Sequence, residues 1–160
     1  MRAPIRILVV DDYAPWCRFL RLTLLAHEEL QVIGEFTDGP EAIEKAKELQ
    51  PDLILLDIGL PTLNGIEAAR RIRELSPKTK ILFVSENRSP DIAEEALRTG
   101  AGGYVAKADA VRDLLPAINA VLEGKRFISA SLAGNFVVAA TLTTTQTLSW
   151  IITLLSGVSL

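Results

Sequence analysis

Three acidic side chains, a hydroxyl and an ammonium group stand at or just after short apolar runs of the sequence. Asp11 and Asp12 follow the run IRILVV, and Asp57 follows LILL. Ser85 ends the run ILFVS, and Lys107 comes shortly after a fifth run. Any one of these residues alone is more often a helix cap, a turn residue or a solvated surface group than a chemical one. It is the conjunction of all five that indicates chemistry.

The chemistry that these residue types predict is phosphoryl transfer beside a hard cation. Carboxylates crowded together repel one another unless a cation neutralises them. The single cysteine, Cys17, and the single histidine, His27, leave no soft ligand set, so the oxygen donors favour Mg²⁺. The metal and a lysine would neutralise the phosphoryl oxygens while a carboxylate attacks phosphorus in line.

The rest of the pattern predicts a parallel sheet that brings these residues together. Strict alternation of strands and helices indicates such a sheet, with helices on both faces. Ligands then bind beyond the carboxyl ends of the strands. Gly100 and Gly124 should end the last two helices, and Pro116 predicts a kink or a late start of the fifth. The predicted strands are 5–10, 32–36, 53–56, 81–84 and 104–105, and the helices start near Pro15 and cover 40–49, 65–75, 90–98 and 110–122.

Composition places the chain among ordinary globular proteins and divides it in two. Of 160 residues, 49% are hydrophobic and 23% charged, which excludes disordered and disulfide-scaffold classes. The net charge of −3 gives no general attraction to nucleic acid, and the N-terminus does not read as a signal peptide, so we expect a cytoplasmic protein. All 17 basic and 20 acidic residues lie within 2–126, which predicts a charged domain over 1–126 and an uncharged tail over 127–160.

Four motifs give the charged domain a family resemblance. They are VVDD at 9–12, LLDIGLPTLNG at 55–65, FVSE at 83–86 and GAGGYVAK at 100–107. From residue 5 to about 123 the chain resembles the receiver domain of two-component response regulators. The resemblance implies a flavodoxin-like, doubly wound, five-stranded parallel sheet of order 2-1-3-4-5 with helices on both faces. Residues 34–61 are especially similar to receivers that usually carry a C-terminal DNA-binding helix-turn-helix.

The resemblance also implies roles for the acidic residues. Asp57 matches the phosphoacceptor, which takes a phosphoryl group from the phosphohistidine of a sensor histidine kinase. Asp11 and Asp12 match the acidic pair that binds Mg²⁺ together with Asp57 and the backbone carbonyl of Gly59. In that scheme Asp12 is a direct ligand and Asp11 acts through water. The chain would then be a signalling receiver and not an enzyme.

The remaining matches concern the bound phosphoryl group and the switch. Ser85 and Lys107 match the hydroxyl and the lysine that bind it, and Tyr104 matches the aromatic residue whose ring turns inward when that hydroxyl moves. Taken alone, Tyr104 is a half-buried strand aromatic. Glu86 departs from a position that is usually small, and it would either repel the donor or slow hydrolysis. Gly59 is also a departure, because a side chain there often influences phosphoryl lifetime.

The sequence says less about how the protein passes a signal to its partners. The resemblance implies a readout surface of the fourth helix, fifth strand and fifth helix, where a second copy or another partner would dock. The tail has no Lys or Arg, so we expect no direct DNA binding from this chain. It is read as a hydrophobic extension packed on the domain or across a dimer, or as a remnant of an output domain. A membrane anchor is the weaker reading, since eight of the 19 residues in 137–155 are Thr, Ser or Gln.

Two other functions remain as alternatives. One is a receiver-shaped binding module that works without phosphorylation, although such a module would be expected to lose an acid, the hydroxyl or the lysine. The other is an aspartyl-phosphate phosphotransferase with Asp57 as nucleophile. Those enzymes usually have a second acid two residues later, where this chain has Gly59.

Overall fold

The computed structural model describes residues 3–132 and confirms the alternation of strands and helices. Contacts divide the chain into two compact units, 1–81 and 82–160, with the boundary inside the fourth strand. In chain order the elements are β1 (Ile5–Val10), α1 (Ala14–Leu25), β2 (Leu30–Phe36), α2 (Gly39–Leu49), β3 (Leu53–Leu56), α3 (Gly65–Leu75), β4 (Lys80–Ser85), α4 (Pro90–Arg98), β5 (Gly103–Ala106), a 3₁₀ turn (Lys107–Asp109), α5 (Ala110–Leu122) and β6 (Phe127–Ile128).

In the first unit, β1 lies between β2 and β3, and both pairings are parallel. Leu8 and Ile54 in the middle of β1 and β3 are fully buried, as expected for strands covered on both faces. Val10 is in register with Phe36 of β2 and Leu56 of β3. Because the strands end together, the residues that follow β1 and β3 lie side by side at one sheet edge.

The helices of the first unit begin at residues suited to that position. Pro15 and Pro40 stand in the first turns of α1 and α2, where a missing amide hydrogen costs nothing. Asp38 caps α2 by accepting a hydrogen bond from the amide of Gly39, and Asn64 caps α3 by accepting from the amide of Glu67. These caps fix where the loops at the carboxyl ends of β2 and β3 stop.

In the second unit, β5 lies between β4 and β6, again in parallel. The prediction of five strands is wrong by this one strand, which pairs Phe127 and Ile128 with Gly103 and Tyr104. It forms because Gly103 has no side chain: a Cβ there would stand 2.6 Å from the carbonyl oxygen of Phe127. A two-residue strand gives no periodic signal in a sequence.

The last two helices end just before the two glycines that were predicted to end them. Gly100 and Gly124 adopt φ angles of 93° and 80° just after α4 and α5, a conformation that favours glycine. Pro116 lies inside α5, which already begins at Ala110, so a late helix start is wrong.

The start of the uncharged tail belongs to the second unit. Ser129 and Leu132 are almost completely buried, and the amide of Ser129 donates to the carbonyl of Tyr104 at 3.0 Å. The boundary after residue 126 stays a prediction, and residues 133–160, including 137–155, lie outside the described residues. Among the helices of residues 3–132, none is long and apolar enough to cross a membrane.

Candidate functional site

Three carboxylates meet at the carboxyl ends of β1 and β3. Asp11, Asp12 and Asp57 each offer an oxygen, and these oxygens lie within 4.8 Å of one another. The backbone brings them together, because the amide of Asp11 donates to the carbonyl of Phe36 and that of Asp57 donates to the carbonyl of Val10. Asp11 and Asp57 are buried, whereas Asp12 is exposed. We call these three side chains the acid cluster.

Backbone amides orient the two buried carboxylates of the acid cluster. The amide of Tyr13 donates to Oδ1 of Asp11 at 2.8 Å, and the amide of Ile58 donates to Oδ1 of Asp57 at 2.7 Å. Both donors belong to the loop that directly follows the carboxylate's strand. The conformation of each loop therefore sets the direction of the acid before it.

The donor set of the acid cluster fits a hard divalent cation. All three ligand atoms are carboxylate oxygens, and no sulfur or nitrogen donor takes part in the cluster. Three negative charges this close repel one another, and the repulsion is least screened where two of the groups are buried. A cation such as Mg²⁺, which needs only a few protein ligands and keeps several waters, would offset that repulsion.

Two glycines in the loop after Asp57 have opposite surroundings. A Cβ at Gly65 would stand 1.9 Å from the carbonyl oxygen of Asp57, so the first turn of α3 can approach the acid cluster only with glycine there. The amide of Gly65 donates to the carbonyl of Ile58 at 2.8 Å and closes the base of the loop. A Cβ at Gly59 would meet nothing within 4 Å. Gly59 is therefore open to substitution on steric grounds.

The predicted hydroxyl and switch residues are linked to each other in the second unit. Ser85 is buried at the end of β4, and its Oγ accepts a hydrogen bond from the amide of Asn87 at 3.1 Å. Tyr104 is fully buried beside Phe83, and its hydroxyl donates to the carbonyl of Asn87 at 2.6 Å. The prediction that the Tyr104 side chain is half-buried is therefore wrong. Its ring points inward because the backbone of Asn87 offers its hydroxyl a partner.

Asn87 is a residue of this region that the sequence reasoning missed. Besides its two backbone bonds, its side-chain oxygen accepts from the amide of Ser89 at 2.9 Å. Ser89 in turn caps α4. Asn87 therefore connects Ser85, Tyr104 and the start of α4. The signal available beforehand was an Asn two residues ahead of Ser-Pro, which indicates a turn before a helix but no contact with a distant tyrosine.

The last two predicted site residues follow the strands of the second unit. Lys107 is half-buried and begins the 3₁₀ turn after β5, and its carbonyl accepts from the amide of Ala110. Glu86 is exposed directly after Ser85. The roles of Lys107 and Glu86 stay predictions, as do those of the other site residues.

Comparison with known proteins identifies the fold and the family. Residues 7–119 match the response regulator receiver domain. The chain belongs to the receiver domain family of response regulators. It is 34% identical over 129 residues to the response regulator GacA of Pseudomonas viridiflava, an alignment that covers 81% of this chain and 60% of GacA. The receiver therefore spans less than two thirds of that relative's length.

Two further similar proteins are matched over nearly their whole length. The receiver is 35% identical over 116 residues to the chemotaxis protein CheY of Thermotoga maritima, covering 72% of this chain and 96% of CheY. A two-component response regulator of the LuxR family from Aurantimonas superimposes with a TM-score of 0.82 at 31% identity, covering 87% of this chain and 99% of that one. The predicted flavodoxin-like receiver fold is confirmed.

Proposed function

We propose that the receiver accepts a phosphoryl group on Asp57 from the phosphohistidine of a sensor histidine kinase. An Asp57 carboxylate oxygen forms the new bond to phosphorus, and the phosphorus–nitrogen bond breaks with its electron pair going to the imidazole. The single observation that carries this proposal is the acid cluster, three carboxylate oxygens within 4.8 Å of one another, in a chain of this family. Receiver domains of response regulators are signalling modules, and the accepted group would serve as a signal.

The acid cluster and the backbone carbonyl of Gly59 would hold Mg²⁺. The bound ion would neutralise charge on the phosphoryl oxygens during transfer. Asp12 is exposed and suited to direct ligation, whereas Asp11 is buried with Oδ1 already bonded to the amide of Tyr13, which suits contact through a water. The chain's own part is to keep these oxygens oriented by the backbone amides of the two loops.

Phosphorylation would change the hydrogen bonds around Ser85 and Lys107. A phosphoryl group adds about −1.5 to −2 charges and three acceptor oxygens. If Ser85 turns to such an oxygen, its bond from the amide of Asn87 changes, and Asn87 also holds Tyr104. Shifting a two-state switch from 1:99 to 99:1 takes roughly 5.5 kcal/mol. A few charge-assisted hydrogen bonds of roughly 1.5–3 kcal/mol each are sufficient.

The readout surface would be formed by α4, β5 and α5, with a second copy of the receiver as one partner. Among the described residues, β6 already pairs with Gly103 and Tyr104 of β5. Docking there would therefore use side chains of α4 and α5 more than the backbone edge of β5. Val111 on α5 is 90% exposed and offers an apolar contact of this kind.

Intact mass measurement with Mg²⁺ and phosphoramidate tests the proposal. We expect one phosphoryl adduct on the wild type and none on Asp57→Asn, with size-exclusion chromatography of the same samples reporting dimerisation. Absence of an adduct from wild type would contradict the phosphoacceptor role for small donors. The variant Glu86→Ala then separates two causes: an adduct restored by this change identifies Glu86 as the block, and none leaves a module that binds partners without phosphorylation.

A further inference from the structure

Asp38 contacts the tip of the loop that joins Asp57 to α3. We infer that Asp38 is a positioning residue, which holds this loop and thereby the direction of the Asp57 carboxylate and the place of Gly59. The inference rests on the proposed function, because it assigns Asp38 to the same metal and phosphoryl site. Asp38 touches neither the acid cluster nor the reacting atoms, so it would act through the loop alone.

One carboxylate satisfies three backbone amides from two loops. Asp38 accepts from the amide of Gly39 at 2.7 Å, from that of Thr62 at 3.0 and 3.1 Å, and from that of Leu63 at 3.3 Å. The side chain of Thr62 also forms a hydrogen bond to this carboxylate. That bond is the largest cause, and the backbone amide bonds are smaller causes, of a pKa of Asp38 below its ordinary value. The carboxylate is therefore ionised near neutral pH. Charge-assisted bonds of this kind are stronger than neutral ones.

An independent feature also ties these two loops together. A Cβ at Gly39 would stand 2.6 Å from the carbonyl oxygen of Leu63, so the two backbones approach as closely as glycine allows. The loop tip is thus held by the Asp38 carboxylate and by direct backbone packing. Only the bond to the amide of Gly39 belongs to the start of α2, whereas the bonds to Thr62 and Leu63 join Asp38 to the other loop.

From the tip, hydrogen bonds lead back to Asp57. The base of the loop is closed by the bond from the amide of Gly65 to the carbonyl of Ile58, and the amide of Ile58 donates to Oδ1 of Asp57. Gly59 lies between these fixed points and the tip. Release of the tip would free the backbone on which both the Asp57 direction and the Gly59 carbonyl depend. Groups that orient metal ligands in this way commonly change metal affinity when removed.

Isothermal titration of Mg²⁺ into the wild type and Asp38→Ala tests the inference. We expect the dissociation constant to rise about tenfold in Asp38→Ala. The matched control is Asn64→Ala, which removes a cap of α3 from the same loop without touching residues 62–63, and whose affinity should stay within about twofold. The variant Asp38→Asn keeps an oxygen acceptor for the amides and should recover part of the loss.

The rate of adduct formation with phosphoramidate adds a readout that a purely structural role would not produce. In Asp38→Ala the rate should fall at limiting Mg²⁺ and recover towards wild type at saturating Mg²⁺. Urea unfolding midpoints confirm that each variant folds. An unchanged dissociation constant in Asp38→Ala, or an equal loss in Asn64→Ala, would overturn the inference. A wild type that neither binds Mg²⁺ nor forms an adduct would instead contradict the proposed function.

Discussion

The two units of the receiver fix their candidate functional groups by different means. In the first, carboxylates accept bonds from backbone amides: Asp57 from Ile58, Asp11 from Tyr13, and Asp38 from three amides. In the second, neutral hydroxyls bond to backbone groups, with Ser85 and Tyr104 both attached to Asn87. The acid cluster and Asp38 are acidic side chains, whereas Ser85 and Tyr104 are neutral hydroxyls.

This difference matches two separate requirements of a phosphorylation switch. A metal and phosphoryl site needs oxygens that keep their positions, and hydrogen bonds from backbone amides to the carboxylates contribute to that rigidity. A responding group needs a bond that can be exchanged at small cost, and a neutral hydrogen bond contributes only about 1 kcal/mol net. We therefore expect substitutions to be most damaging where backbones are packed around the acid cluster, intermediate at the fully buried Ser129, and mild at the hydroxyl of Tyr104.

The largest effect is expected for Gly65→Ala. Its Cβ would overlap the carbonyl oxygen of Asp57, so the backbone must move and both stability and the acid cluster suffer. We expect a loss of about 3 kcal/mol or more in the free energy of unfolding by urea, together with much weaker Mg²⁺ binding. The matched control is Gly59→Ala, where a Cβ meets nothing within 4 Å and stability should change little. Equal losses in both variants would contradict the close approach of α3.

The next effect is expected for Ser129→Ala in the second unit. The fully buried Oγ of Ser129 accepts from the amide of Ala106 at 3.0 Å, so removing it leaves a buried amide without its partner. The cost should be about 2 kcal/mol in urea unfolding. Ser131→Ala, which removes a hydroxyl from an exposed residue bonded to Asp109, should cost less than about 0.5 kcal/mol. If Ser129→Ala unfolds like the wild type, the hydrogen bond from Ala106 to Ser129 does not stabilise the unit.

How far the sequence predicts the molecule depends on the kind of interaction and not on the unit. Five strands were predictable because each is a short continuous apolar run, and the helices because each buries one periodic face. The acid cluster was predictable because the side-chain type of Asp11, Asp12 and Asp57 is itself the chemistry. Asn87 was missed since its amide and carbonyl bond to Ser85 and Tyr104, and every residue type except proline offers both groups. Ser129 was missed since its hydroxyl bonds to a residue 23 positions away. Asp38 was missed because its contact with Thr62 joins loops 24 positions apart, a distance that periodicity does not report.

A smaller effect is expected for Tyr104→Phe. The change removes the single bond from the Tyr104 hydroxyl to the carbonyl of Asn87, which belongs to an exposed residue. We expect a loss of about 1 kcal/mol in the free energy of unfolding and an unchanged phosphoryl adduct on Asp57. Tyr13→Phe, at a side chain that is 58% exposed, is the control and should be neutral. Loss of the adduct in Tyr104→Phe would show that the Tyr104 hydroxyl is needed for phosphorylation of Asp57 itself.

The smallest effect is a difference in pH dependence between the two kinds of bond. The pKa of Asp38 is lowered from its ordinary 3.8 by the hydrogen bonds from Thr62, Gly39 and Leu63. Its ionised form therefore stabilises the fold fully above 3.8, and this contribution is lost as the pH falls below 3.8 towards the lowered value. Urea midpoints without Mg²⁺ should accordingly fall more steeply below 3.8 in the wild type than in Asp38→Asn. Tyr104→Phe should parallel the wild type, since a phenol does not titrate in acid. Parallel curves for wild type and Asp38→Asn would show that charge does not distinguish the two units.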